Sequence, residues 1–280
     1  MTSSFNDPNA RPAVHPTMRR MPAMFGATSG PRQAPDTSVQ YDPASSPLRL
    51  SAYARFHTDA QAIARFLPPR FTLRGEALVA FEFSYLSEID WLAGRGYNML
   101  SVRVPVLFDS PERAIDGWFQ PVIWENMTEP ILSGREELGW NKIFAELPPP
   151  RRLGERHIFD AEWQGFRFMR LTLSGLTPLE PALGAGEPVF HHKYIPATEA
   201  WGQADVDYIT MTPPGASMSR VLTHQNAQAT LHMSSPQWED MPTQHHIVQA
   251  LAELPLGALH SAGLYTTRGG KDLSDQLRFS

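Results

Sequence analysis

Apolar and polar residues alternate along many short segments of the chain after residue 45. The clearest case is Leu48–His57, in which one face of a strand would carry Leu50, Ala52, Ala54 and Phe56. Further β-rich segments are predicted at 77–86, 97–108, 117–125, 159–173, 191–195, 207–211, 219–222, 227–233 and 256–265, with a polar turn at 224–226. Many short strands separated by turn residues predict a mainly β protein, whose large antiparallel sheet closes into a barrel.

Helical spacing of apolar residues is confined to a few short segments. We predict helices at 59–67, 128–138 and 241–254. Asp59 is suited to cap the first of them, and Gly139 fits the left-handed position that ends the second. The chain would leave that second helix and enter a strand directly after Gly139.

The first 45 residues lack this periodicity and are rich in Pro, Ser, Asn, Thr and Gly. Such a composition buries little apolar surface, so we expect residues 1–45 to form an extended or disordered arm. Residues 46–280 would then form the barrel domain. We expect the arm to support assembly of a homo-oligomer.

Composition narrows the functional classes. The chain has 280 residues, 42% of them apolar, a formal charge of -5 and no cysteine. The charge provides no basic surface for nucleic acid or an anionic membrane, and the missing cysteines exclude disulfides and thiolate sites. No apolar run approaches the ~18 residues that a membrane span needs. We therefore expect a soluble protein in the cytoplasm.

One lysine stands where an amine could act as a nucleophile. Lys142 follows Gly134–Gly139 and Trp140, and it precedes the apolar residues Ile143 and Phe144. Only a neutral amine is nucleophilic, and apolar surroundings disfavour the ammonium form. The alternative is a lysine that buries its stem and keeps its charged head in water.

Three blocks of the sequence together resemble the acetoacetate decarboxylase superfamily. The strongest is 129–136, which ends in Gly-Arg-Glu and is followed by Lys142-Ile143-Phe144. The second is 78–82, which ends in Glu82, and the third is Arg49 in the first predicted strand. The likeness covers roughly residues 46–270.

The resemblance implies a double-layered β-barrel that needs no cofactor. In such a protein Lys142 would form a Schiff base with a small keto acid, and the iminium would accept electrons from the bond that breaks or forms next to it. Arg49 would clamp the substrate carboxylate. Glu82 would be an acid, a base or an electrostatic partner, while Met99, Trp140 and Tyr265 would line the substrate site.

The sequence departs from the decarboxylase pattern at two positions. Ile143 replaces a second lysine, so apolar neighbours alone would favour the neutral amine. Met99 replaces a second functional glutamate, and a thioether transfers no proton. Glu88 or Asp90 could supply the lost proton relay, although solvated loop carboxylates are the simpler interpretation. Decarboxylation, aldol or dehydration chemistry, and a non-catalytic barrel that binds an acidic small molecule all stay open.

The histidines do not form a metal-binding pattern. His191 and His192 are neighbours on a predicted strand and would point to opposite faces. His245 and His246 diverge on a predicted helix, and the chain has no His-Glu-x-x-His motif. We expect no metal site.

Overall fold

The computed structural model describes residues 18–26, 28–29, 32, 41–182, 186–215, 217–271 and 273–279. Strands dominate this part of the chain, as the alternating pattern predicts. They are β1 (Leu48–His57), β2 (Phe71–Leu73), β3 (Leu78–Ile89), β4 (Arg95–Asp109), β5 (Ala114–Glu125), β6 (Lys142–Phe144), β7 (Arg151–Leu153), β8 (Arg156–Trp163), β9 (Phe166–Leu179), β10 (Val189–Pro196), β11 (Ala204–Thr212), β12 (Arg220–Met233), β13 (Leu259–Arg268) and β14 (Leu277–Phe279).

The helices are few and short. They are α1 (Ala60–Ala64), α2 (Thr128–Ser133) and α3 (His245–Ala252), with 3₁₀ turns at Ala23–Phe25 and Asp90–Leu92 and a π-helical turn at Gly134–Leu138. Asp59 caps α1 by accepting a hydrogen bond from the Ala62 amide at 2.7 Å. The mainly β class with a few short helices is confirmed.

The strands form one 14-stranded sheet in the order β14-β11-β10-β5-β4-β3-β1-β13-β12-β9-β8-β7, with β2 paired to β4 and β6 paired to β5. Most neighbours are antiparallel, as predicted. Two pairs are parallel, β5 with β10 and β5 with β6. The sheet is therefore mixed, and both parallel pairs involve the strand that lies beside Lys142.

One face of the central strands carries the hydrophobic core. On β1, Ala52, Ala54 and Phe56 are buried there, and helices α1 and α3 add Ile63 and Val248. The predicted apolar face of β1 is therefore confirmed. The opposite face of the same strands carries polar and charged side chains.

Three predicted segments differ from the structure. The single strand predicted at 159–173 is a hairpin of β8 and β9, because Gln164 and Gly165 both adopt positive φ (48° and 86°) and turn the chain. The turn predicted at 224–226 lies inside β12, where pairing with β9 and β13 satisfies the backbone. The helix predicted at 128–138 changes to a π-helical turn at Gly134.

The predicted arm lies largely outside the described residues. Within it, Arg20 forms an ion pair with Glu137 at 3.1 Å. Among the described residues no helix is long and apolar enough to cross a membrane. The domain boundary near residue 46, the homo-oligomer and the cytoplasmic location stay predictions.

Candidate active site

Strand register places Lys142 and Glu82 on the same face of the sheet. Glu82 pairs with Ser101, Ser101 with Ile123, and Ile123 with Lys142. Side chains of paired residues project to the same side, so all four belong to the face opposite the core, which we call the polar face. Three strand spacings of about 4.8 Å put the backbones of Glu82 and Lys142 about 14 Å apart in a flat sheet.

The amine of Lys142 is buried among specific partners. The side chain is 3% exposed, and its Nζ donates to the Pro130 carbonyl oxygen at 2.8 Å. Nζ also lies 2.9 Å from Oε1 of Glu125 and 4.7 Å from the centre of the Trp140 ring. A buried cation is costly unless it is paired, and here a carboxylate and a carbonyl oxygen provide that pairing.

The π-helical turn before β6 makes room for this side chain. A Cβ atom on Gly134 would lie 2.7 Å from Cε and 2.9 Å from Nζ of Lys142, so any larger residue there would displace the amine. Gly139 ends the turn with φ of 75°, as predicted. Arg135 donates from Nη1 to the Lys142 carbonyl oxygen at 3.0 Å and ties the turn to the strand.

Glu125 is the functional candidate that sequence reasoning missed. Its side chain is fully buried, burial raises its pKa, and the charges of Lys142 and Arg32 act in the opposite direction. Glu125 is paired in register with Met99. The carboxylate absent at Met99 is therefore present one strand away, beside the amine.

The two loop carboxylates considered for this relay lie elsewhere. Glu88 is exposed and pairs with Arg268 at 2.8 Å, and the Asp90 backbone amide donates to the Ser46 hydroxyl oxygen at 3.1 Å. A sequence signal for Glu125 does exist, since it ends the apolar run Val122-Ile123-Trp124, where an unpaired carboxylate would be costly.

Glu82 anchors a second group on the polar face. It accepts hydrogen bonds from the Tyr265 hydroxyl at 2.8 Å and from Ser84 at 3.1 Å, and it lies 3.7 Å from Arg103. Burial alone would raise the pKa of Glu82, but the charges of Arg103 and Arg49 and the two hydroxyls outweigh it and hold the pKa below 4.5. Burial and the Glu82 charge raise the pKa of Tyr265.

The predicted site residues therefore fall into two groups. Arg49 and Tyr265 accompany Glu82, whereas Trp140 accompanies Lys142. Met99 lies between the groups, because it pairs with Ser84 on one side and with Glu125 on the other.

Of the apolar residues expected around the amine, only Trp140 contacts it. Ile143 points to the opposite face, where it lines a groove of about 440 Å³ together with residues of α3. Phe144 is 39% exposed. The surroundings of Lys142 are thus more polar than the sequence predicts.

A run of buried polar atoms crosses the polar face beside Lys142. Ser101 Oγ, Arg103 Nε, Gln120 Nε2 and both ring nitrogens of His191 have no hydrogen-bond partner among the described residues; we call these four residues the unpaired row. Each such buried atom costs about 1–3 kcal/mol when nothing binds it. Waters or a ligand are therefore needed to complete this part of the face.

His191 connects the unpaired row to the lysine. Its ring stacks on Trp140 with centroids 5.3 Å apart, and Trp140 also borders Nζ of Lys142. Burial, followed by the charges of Arg103 and Lys142, lowers the pKa of His191 well below 6.5. The imidazole is therefore neutral and can donate one hydrogen bond.

The space directly at Lys142 is small. A cavity of about 10 Å³ touches Lys142 and is bordered by Trp91, Tyr97, Pro130 and Trp140. This volume holds at most one water molecule. Within the described ranges, no three His, Asp or Glu side chains are grouped in a way that could hold a metal ion.

Comparison with solved structures shows the same fold. An acetoacetate decarboxylase from Legionella pneumophila matches with a TM-score of 0.64 and 20% identity, over 81% of this chain and 87% of that chain. An acetoacetate decarboxylase-like enzyme from Sphingomonas wittichii RW1 matches with a TM-score of 0.61 and 14% identity, over 88% and 99%. At these identities the likeness concerns the fold.

A third similar structure is that of an enzyme in complex with a ligand. It is the enduracididine biosynthesis enzyme MppR, complexed with the condensation product of pyruvate and imidazole 4-carboxaldehyde. It matches with a TM-score of 0.54 and 18% identity, over 82% of this chain and 90% of that chain. No curated protein sequence matches the chain at a significant level.

The sequence pattern of one family covers nearly the whole chain. The acetoacetate decarboxylase (ADC) family matches residues 21–277, which include both strands of the Lys142–Glu125 pair and the Glu82 group. The chain belongs to the acetoacetate decarboxylase family, as an acetoacetate decarboxylase-like enzyme.

Proposed function

We propose that this protein is a Schiff-base-forming carbon–carbon lyase that acts on a small keto acid, with Lys142 as the amine nucleophile. The observation that carries the proposal is the buried Lys142 amine, held 2.9 Å from the buried Glu125 carboxylate. A lysine kept from water and given a proton acceptor is the arrangement that amine nucleophiles need. Family membership supports the same chemistry.

Glu125 moves the protons in this mechanism. Its carboxylate takes one proton from the Lys142 ammonium, and the neutral amine attacks the keto carbon to form a C–N bond. The carbonyl oxygen receives the proton and becomes a hydroxyl group. A second proton passes from nitrogen to that hydroxyl, the C–O bond breaks, and water leaves. The positive charge then resides on the iminium.

The iminium accepts the electron pair of an adjacent bond, either the bond to a departing carboxyl group or a C–H bond. Both decarboxylation and aldol or dehydration chemistry can follow. MppR was solved with a condensation product of pyruvate, which makes a keto acid the natural first substrate to test here. Glu82, with Arg49 and Tyr265 beside it, is proposed to set the electrostatic potential of the polar face.

Borohydride trapping tests the proposal sharply, because the chain contains only three lysines, Lys142, Lys193 and Lys271. The protein is incubated with pyruvate or acetoacetate, reduced, weighed by mass spectrometry and mapped by peptide. We expect one adduct on Lys142, lost in Lys142→Ala and kept in Lys193→Arg and Lys271→Arg. Glu125→Gln should slow adduct formation by about 10²–10⁴-fold, the usual contribution of a general base.

Glu129→Gln is the matched control for Glu125→Gln, because it makes the same change on the exposed surface of α2. An adduct that persists in Lys142→Ala would contradict the assignment of the nucleophile. No adduct with any keto acid would favour the alternative of a non-catalytic barrel that binds an acidic small molecule.

A further inference from the structure

We infer that the groove between β6 and α3 is a second ligand site, which binds a small anion with an apolar body and is connected to Lys142 through Arg135. We call it the α3 groove. Its volume of about 440 Å³ lies in the range of pockets that hold small-molecule ligands. It is separate from the small space at Lys142, and its binding of a ligand does not depend on the function proposed for that lysine.

The walls of the α3 groove are largely apolar. Strands β5 and β6 and helix α3 supply most of them, together with residues that follow α1. The apolar side chains include Phe66, Phe119, Val122, Ile143, Ile247 and Leu251. A ligand that buries an alkyl chain or an aromatic ring against these walls removes apolar surface from water, which is favourable.

One permanent cation borders the α3 groove, and no Asp or Glu side chain is among the described residues that line it. The cation is Arg135, which is half-buried and forms no ion pair with a carboxylate in the described part of the chain. Its Nη1 donates to the Lys142 carbonyl oxygen at 3.0 Å. A guanidinium has five N–H donors, so others are free to bind a ligand.

The other polar side chains of the α3 groove are largely occupied. The Asn141 amide donates to the Gln120 carbonyl oxygen at 2.8 Å, and His192 Nε2 lies 2.7 Å from Oδ1 of Asp207. Arg135 is therefore the group that selects the charge of a ligand. A guanidinium binds a carboxylate with two parallel hydrogen bonds, so charge complementarity favours an acid with an apolar chain or ring.

Arg135 also connects the α3 groove to the lysine. Lys142 and Ile143 are neighbours on β6 and face opposite sides, so the amine and the α3 groove lie on the two sides of one strand. The Arg135 guanidinium reaches the backbone of Lys142 from the groove side. A carboxylate bound to Arg135 therefore acts on a side chain that holds Lys142 in place.

The first experiment compares a charged ligand with a neutral one of the same shape. Phenylbutyrate and phenylbutanamide are titrated into the full-length protein, and their binding is measured by ligand-observed NMR. We expect the wild type to bind phenylbutyrate more tightly than the amide. Arg135→Gln should weaken phenylbutyrate binding by about 10–100-fold, as the loss of a charged hydrogen bond implies, and change binding of the amide less than about twofold.

A second variant guards against a folding defect in Arg135→Gln. Ala250→Phe fills the α3 groove from the helix and leaves Arg135 in place, so it should abolish binding of both ligands. Ala60→Phe makes the same change at the exposed start of α1, outside the lining of the groove, and should bind as wild type. Arg156→Gln, at the exposed end of β8, is the matched control for Arg135→Gln.

The second experiment observes the lysines directly. The chain has three, so protein made with ¹³C-labelled lysine gives three Cε signals, which Lys→Arg variants assign. Phenylbutyrate should shift the Lys142 signal in the wild type and not in Arg135→Gln. The signal of Lys271, whose Nζ binds Asp275 at 2.8 Å, should not move.

The site would be overturned by failure of phenylbutyrate to bind at about 10 mM, well above the Kd expected for a ligand of its size. It would also be overturned by binding that Ala250→Phe leaves intact. Equal affinities for acid and amide would overturn the preference for an anion. Binding without a shift of the Lys142 signal would overturn the connection to the lysine.

A second copy of the chain is the competing occupant of the α3 groove. If phenylbutyrate does not bind and Ala250→Phe changes the oligomeric state in size-exclusion chromatography, the groove is an interface between copies and the inference is wrong. These measurements use no keto acid. A missing borohydride adduct would therefore count against the proposed function alone.

Discussion

Glu82 is largely buried and His191 fully buried on the polar face, and their neighbours act differently on their charged forms. Two arginines and two hydroxyls hold the pKa of Glu82 below 4.5 despite its burial. Burial, followed by the charges of Arg103 and Lys142, holds the pKa of His191 well below 6.5. Glu82 is therefore charged and His191 neutral near pH 7.

The state of His191 predicts how stability depends on pH. Below pH 6.5 the unfolded chain binds a proton at this histidine and the folded chain does not, so the free energy of unfolding falls as pH decreases. The slope for one such group is about 1.4 kcal/mol per pH unit. Urea unfolding measured at several pH values below 6.5 should show that the unfolding free energy of His191→Phe depends on pH less steeply than that of the wild type, by about 1.4 kcal/mol per pH unit.

His232→Phe is the control, because His232 is exposed on β12. It should keep the wild-type slope. A His191→Phe protein that loses stability with acid as steeply as wild type would show that His191 is protonated in the folded state.

At the scale of elements, the unit formed by α2, the π-helical turn and β6 positions the Lys142 amine. The sequence predicts a helix end at Gly139 and a strand at Lys142, and both are present. It does not predict the π-helical turn, because a segment of five residues is too short for its spacing to be distinguished from that of an α-helix. That turn brings Gly134 against the lysine side chain.

Gly134→Ala should therefore displace the amine. The added Cβ would overlap the Lys142 side chain, so we expect a loss of about 1–3 kcal/mol in unfolding free energy from overpacking. We also expect about 10²-fold slower borohydride trapping, since small displacements of reacting groups have effects of that size. Urea unfolding and the trapping rate measure the two effects.

Gly215→Ala is the matched control, because a Cβ at Gly215 meets nothing within 4 Å and its φ is not positive. It should leave both quantities unchanged. Trapping at the wild-type rate in Gly134→Ala would show that the lysine reacts from a position other than the one described.

At the scale of the whole molecule, the sheet joins residues from both ends of the chain. Strand β1 lies between β3 and β13, whereas β14 pairs only with β11 at the end of the strand order. The two C-terminal strands therefore differ in what their removal would do. Loss of β14 shortens an edge, and loss of β13 divides the sheet.

A chain that ends at Gln276 should still unfold cooperatively, with a stability loss of roughly 1–3 kcal/mol from the removed Phe279, whose ring lies 5.2 Å from that of Phe108. A chain that ends at Gly257 should not fold. Circular dichroism during heating and size-exclusion chromatography distinguish the two. Cooperative unfolding of the shorter chain would show that β1 and β12 do not depend on β13.

Much of the fold could be predicted because strand periodicity is local. The apolar face of β1 and the apolar run of β3 are visible within about ten residues. The same holds for Lys142, since Gly139 and Trp140 adjoin it in sequence. The contact between Glu82 and Tyr265 could not be predicted from the sequence, because their strands β3 and β13 are brought together only by β1, which lies between them.

Local spacing therefore determined the mainly β class, because neighbours in sequence define which residues alternate, and the resemblance of 129–136 and Lys142 to one family marked the candidate lysine. Tertiary structure alone decided that Glu125 lies beside the Lys142 amine and opposite Met99, and that Ser101, Arg103, Gln120 and His191 share one face. Register between distant strands sets which side chains meet, and a shift of one residue would turn each of them to the other side. That register depends on the packing of the whole sheet.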